Sequence, residues 1–133
     1  MSRNPNDLLY AKSHEWVEVI REGADAIATV GISAFAIEQL TDLVYMDLPK
    51  PGKTLTVGQE FGEVESVKAV SPLYSPVAGE IVAVHSDLPS QLDDLKEDPY
   101  DFGWIIKVKL SGEGGIGHLM DYETYRKQCG ESA

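Results

Sequence analysis

Short β-branched and apolar runs, each stopped within a few residues by glycine or proline, limit this chain more than any other feature of its sequence. Such punctuation favours short strands joined by turns. "HEWVEVI" (His14 to Ile20) alternates as a half-buried strand, with Trp16, Val17 and Val19 directed to the core. "REGAD" supplies a turn through Gly23, and "AIATVGI" (Ala26 to Ile32) returns as the second arm of a hairpin. "DLVYMDLP" has the composition of another strand, whereas "KPGKTLTVGQ", broken at Pro51-Gly52 and Gly58, reads as a turn-rich link.

"FGEVESV" and "AGEIVAV" are strand-like, and "AVSPLYSP" between them carries Pro72 and Pro76, which cannot donate to a ladder. That stretch reads as an irregular, exposed connection. "HSDLPSQLDDLKEDPYDFG" is a polar excursion ahead of "WIIKVKL" (Trp104 to Leu110), the clearest strand in the chain. Helical spacing is confined to two short places. Ser33 stands as an N-cap before "AFAIEQL", with Ala36, Ile37 and Leu40 on one face. "MDYETYRKQC" follows the break at Gly112, Gly114, Gly115 and Gly117, with Asp121 as cap and Tyr122 sharing a face with either Tyr125 or Arg126. The pattern predicts a mainly β sandwich or barrel with short helices at its side and C-terminus. At 133 residues it fits one domain, 1–133, with a core over about 9–110 and a C-terminal helix over about 120–129.

The formal charge is −11, from 22 acidic and 11 basic residues. A surface of that sign repels phosphate backbones and anionic membranes and steers toward basic protein faces. Cys129 is the only cysteine, so no intrachain disulfide forms, a reducing compartment is expected and the thiol is assigned no role. No apolar run approaches the roughly 20 residues of a membrane span, and "MSRNPNDLLY" lacks an apolar signal core. A cytoplasmic protein is expected.

Catalytic patterns are weak. His14, His85 and His118 stand far apart and outside metal-ligand spacings. There is no G-x-S-x-G, the glycines at 112, 114 and 115 lack a phosphate-loop context, and "QLDDLKED" has the character of a solvated face. No enzymatic role is expected. Lys68 differs: it is the one lysine in "GEVESVKAVSPLYSPVAGE", flanked by Val67 and Ala69 at a turn between strand-like runs. Such a lysine is either a solvated charge or an accessible amine for an acylating enzyme, which must first remove its proton.

The string "FGEVESVKAVSPLYSPVAGEIVAV" closely resembles the lipoylation segment of the glycine cleavage system H protein family. "YAKSHEWVEV", "ATVGISAFAIEQLTDLVYMDLPKPGKTL" and "EDPYDFGWIIKVKL" resemble other family segments in the same order, covering about Leu9 to Leu110. The resemblance implies a barrel-sandwich hybrid fold of the lipoyl- and biotinyl-carrier kind, with lipoic acid in amide linkage to Lys68 on a hairpin. It implies a non-catalytic carrier whose arm takes an aminomethyl group from a pyridoxal-phosphate-dependent glycine decarboxylase to a tetrahydrofolate-dependent aminomethyltransferase. Dihydrolipoamide dehydrogenase then reoxidises the arm. Lipoylating enzymes are further implied partners, with Glu65 and Glu63 as their recognition points, and Glu15 of "HEW" is implied to line the cleft that shelters the loaded arm.

Three positions depart from the family pattern: His85 and Lys96, where asparagine is common, and Thr41, where glycine is usual before Asp42. They leave open an H-like protein that relays lipoyl or octanoyl groups to other enzymes. A biotin carrier has methionine on both sides of its lysine, and a 2-oxo acid dehydrogenase lipoyl domain usually has aspartate before it; Val67 and Ala69 fit neither. A plain β-domain that binds proteins through its acidic face is the remaining alternative.

Overall fold

The structure, a computed structural model, describes residues 8–11, 14–22, 25–33, 35–37, 43–98, 100, 102–110, 119–125 and 127, with backbone alone at 21, 22, 25 and 96. Its strands are β1 (Leu9–Tyr10), β2 (Glu15–Glu22), β3 (Asp25–Ile32), β4 (Leu43–Asp47), β5 (Thr54–Leu55), β6 (Glu60–Ser66), β7 (Val70–Tyr74), β8 (Gly79–Val84) and β9 (Trp104–Leu110). They form two antiparallel sheets, a six-stranded one in the order β1-β2-β3-β9-β8-β5 and a three-stranded one in the order β4-β6-β7.

Side chains alternate across a strand, so each sheet offers one apolar face. Val17, Ala28, Val30, Ile81, Ile106 and Val108 of the larger sheet meet Met46, Val64 and Leu73 of the smaller one in the main core. Trp16 cannot join them, because it neighbours Val17 and must point the other way. Both are buried only because the back of β2 is covered as well: Trp16 packs with Leu8, Tyr10 and Tyr125 in a second cluster. Tyr10 stacks on Tyr125 with centroids 4.5 Å apart, which fastens the helical residues 122–125 onto the sheet.

Three expectations need correction. "AVSPLYSP" is no irregular connection, since Val70–Tyr74 forms β7, hydrogen-bonded to β6. β7 is the edge of the smaller sheet, where the missing Pro72 N–H leaves no ladder bond unmade, and Leu73 turns inward while Pro72 and Tyr74 stay exposed. The turn-rich link contains β5, whose Thr54 and Leu55 pair with Glu80 and Gly79 of β8. The polar excursion contains a 3₁₀ turn (Leu88–Ser90) and a helix (Leu92–Glu97). Leu88, Leu92 and Leu95 recur at helical spacing and are buried in the main core, so this segment is a cover over it.

Both predicted caps form. The Ala36 N–H donates to Ser33 Oγ at 3.3 Å, and the Thr124 N–H donates to Asp121 Oδ1 at 2.8 Å. The second bond holds the Asp121 carboxyl below its ordinary range. Gly23, Leu40, Thr41, the glycines from 112 to 117, His118 and Cys129 lie outside the described residues. No helix among the described residues is long and apolar enough to cross a membrane.

Candidate functional site

The β6–β7 hairpin closes at Ser66. Glu65 pairs with Val70, and the Ser66 N–H donates to the Ala69 carbonyl at 2.8 Å. Ser66 Oγ then accepts from the N–H groups of Lys68 and Ala69, each at 3.2 Å, and sits 3.2 Å from the Ala69 carbonyl, to which it donates. The serine itself is buried, while Val67, Lys68, Ala69 and Val70 are exposed. A small polar knot thus holds the root of the turn and leaves Lys68 at its tip. This device went unnoticed in the sequence, although a serine bonding two and three residues ahead is a known local pattern.

Register places the two glutamates. Tyr45, Glu65 and Val70 form one cross-strand row, and Asp47, Glu63 and Pro72 the next. Glu65 is exposed and Glu63 half-buried, both on the outward face of the smaller sheet, with Glu65 nearer the turn. The hairpin therefore brings Lys68, Glu65 and Glu63 together.

Glu15 lies elsewhere. It opens β2 in the other sheet, is only 2% exposed, and its Oε2 accepts from the Tyr74 N–H at 3.3 Å. Tyr74 ends β7 opposite the turn, so Glu15 ties the far end of the hairpin to the larger sheet and does not face solvent. An open cleft of about 530 Å³ runs beside β4, lined in part by Tyr45, Leu48, Pro51, Val84 and Pro89; Glu15 is not among its residues.

Two histidines have structural partners. His85 Nδ1 lies 2.8 Å from the Trp104 carbonyl, to which it donates, and its ring stacks on Trp104 at 4.7 Å. His14 adopts φ 78°, and its Nδ1 is 2.6 Å from the Tyr125 hydroxyl, itself 2.5 Å from Ser33 Oγ. Among the described residues no group of three or more His, Cys, Asp or Glu is placed to hold a metal.

Burial lowers the His14 pKa below its ordinary value, so folding favours the neutral ring. Its contribution to stability is complete above about pH 6.5 and is lost as pH falls, because the unfolded chain then binds the proton more readily. The amide of Tyr125, which donates to the Asp121 carbonyl, should lose protection from hydrogen exchange between about pH 7.5 and pH 5, after correction for intrinsic rates. His14→Asn, which tolerates a positive φ, should flatten that dependence. Equal protection of wild type across the range would refute the assignment.

Comparison with known proteins gives this geometry a family. The family model described as Glycine cleavage H-protein matches residues 8–132. The chain belongs to the glycine cleavage H-protein family. A glycine cleavage system H protein of Rhodopirellula baltica is 67% identical over 132 residues, covering 99% of each chain. One from Marinobacter nauticus is 46% identical over 125 residues, covering 94% of each. The crystal structure of a glycine cleavage system H protein from Mycobacterium marinum superposes with a TM-score of 0.85 at 38% identity, over 96% of this chain and 99% of that one. The H-protein fold, a barrel-sandwich hybrid of two antiparallel sheets with few short helices, is the fold described above.

Proposed function

We propose that this chain is a lipoyl carrier of glycine cleavage, with lipoic acid attached to Lys68. The observation that carries this reading is an exposed lysine at the tip of a hairpin whose turn is tied at Ser66 and whose base is tied to the other sheet by Glu15. Those residues fit the group: Lys68 is exposed at the turn, between Val67 and Ala69, which are exposed as well. Attachment forms an amide bond between Lys68 Nζ and the carboxyl carbon of an activated lipoate. The activating group leaves as its bond to that carbon breaks, and the ammonium gives up two protons, the first to the modifying enzyme before attack and the second as the amide forms.

When bound, the group supplies a disulfide–dithiol couple and a thiol on which an aminomethyl unit can ride. Lys68 roots that chemistry on a flexible tether, and the hairpin keeps the root fixed, which raises the effective concentration of the arm at a docked partner. The partners are the glycine decarboxylase, the aminomethyltransferase and dihydrolipoamide dehydrogenase, between which the aminomethyl group and then electrons pass, together with lipoylating enzymes. Glu65 and Glu63, on the sheet face that leads to Lys68, are the recognition points for acylation. The chain itself turns over no substrate.

Intact-mass measurement of protein made in lipoate-replete cells should show one lipoyl group, absent in Lys68→Arg. An unmodified wild type under those conditions would sink the reading. With purified partners and labelled glycine, the modified chain should become aminomethylated; lipoyl transfer to other enzymes without aminomethylation would favour the relay role instead.

A further inference from the structure

We infer that Ser66 is a positioning residue for acylation of Lys68, setting the turn in the shape that the modifying enzyme binds. The inference rests on reading Lys68 as the attachment site. Among the described residues, little else fixes the tip. Val67 is 65% exposed and Val70 49% exposed, and Lys68 and Ala69 are exposed too, so no apolar anchor holds these residues. One backbone bond, Ser66 N–H to the Ala69 carbonyl, closes the turn. The remaining polar ties converge on one oxygen: Ser66 Oγ accepts from Lys68 N–H and Ala69 N–H and donates to the Ala69 carbonyl.

Because Ser66 is only 6% exposed, its hydroxyl is sheltered from competing water and forms a fixed point beneath a solvent-facing lysine. The Cα of Lys68 takes its direction from that point. Deleting the hydroxyl removes these bonds and leaves the β6–β7 pairs from Glu60 to Glu65 in place. The tip then samples shapes the enzyme does not bind, and apparent affinity falls by the fraction of time the competent shape is lost. Once the turn is bound, the amine reacts as before. The effect therefore falls on KM and leaves kcat alone.

The test uses the full-length unlipoylated chain as substrate for a lipoate–protein ligase supplied with lipoate and ATP. The ligase joins lipoate to ATP as an adenylate with loss of pyrophosphate; the acyl carbon then passes to Lys68 Nζ as its bond to AMP breaks, and the lysine ammonium gives up two protons in becoming the amide N–H. Ser66→Ala should raise KM about tenfold, the population change expected when the three hydrogen bonds at Ser66 Oγ are lost from a turn that its backbone bond still closes, with kcat within about twofold of wild type. Ser66→Asn offers a side-chain oxygen to the same two N–H groups and should restore most of the loss. Acetylation of Lys68 by a small amine-reactive ester should be equal in all three, since exposure is unchanged. An unchanged KM in Ser66→Ala, a fall in kcat alone, or an Asn variant as poor as alanine would each overturn the assignment of Ser66. A wild-type chain that the ligase does not acylate would instead overturn Lys68 as the attachment site.

Discussion

Gly62→Ala is expected to lower the melting temperature by 10 °C or more. Gly62 lies in β6, buried, and a Cβ built there overlaps the backbone carbonyl oxygen of Asp47. A side chain in that position could rotate away, but a strand carbonyl cannot. β4 must move off β6, and with it the pairs Met46 with Val64 and Asp47 with Glu63. Met46 and Val64 are each 1% exposed in the main core, so the opening also unpacks the region between the sheets. Overpacking of this kind costs about 3 kcal/mol or more, roughly the quoted temperature shift in a chain of this size. Gly52→Ala is the control: its φ of 92° strains alanine, but no atom lies within 4 Å of the added Cβ. There the cost is only about 1–2 kcal/mol. Because β6 leads into the turn that carries Lys68, Gly62→Ala should reduce lipoylation in parallel with folding. Thermal unfolding and intact mass report the two effects, and a Gly62→Ala chain as stable as Gly52→Ala would contradict the close approach.

How much of this was legible beforehand depended on whether a residue's partner lay nearby in sequence. β2, β3, β4 and β9 announced themselves because each has a composition or alternation that solvent and core select locally. β7 did not, since Pro72 argues against a strand unless its edge position is known, and edge position is a property of the whole sheet. The helix at Leu92–Glu97 was masked by its acids; only the wider spacing of Leu88, Leu92 and Leu95 betrays the buried side. At the candidate site, Lys68 stood out as a turn lysine, and the family resemblance gave it a chemistry. Ser66 was within reach of local rules, being bonded to its next neighbours but one and two. Glu15 was not, because its partner Tyr74 is 59 residues away, and neither was the His14 contact to Tyr125, 111 residues away. Such long-range ties hold the hairpin and the C-terminal segment to the larger sheet, and nothing in their immediate sequence marks them.

Gly31→Ala is expected to cost nearly as much as Gly62→Ala, and for a reason that a second substitution can isolate. Gly31 in β3 pairs directly with Trp16 in β2, and an added Cβ would fall 2.5 Å from Trp16 Cζ2 and 2.6 Å from Nε1. Here the obstacle is a side chain, but one with no room: Trp16 is 0% exposed and packs in the cluster that holds Tyr10 and Tyr125. Forcing the indole aside costs about 3 kcal/mol and loosens the contact between the larger sheet and residues 122–125. Trp16→Phe shortens the ring on the side that the new methyl would strike, at the cost of a cavity when made alone. In the double variant the methyl occupies part of that cavity. The two changes should therefore be less damaging together than their sum, with a coupling of about 1–2 kcal/mol by thermal or denaturant unfolding. Strict additivity would mean that Gly31 is required for something other than the ring of Trp16. At Gly62 no side-chain partner exists to trim, so no such rescue is expected there.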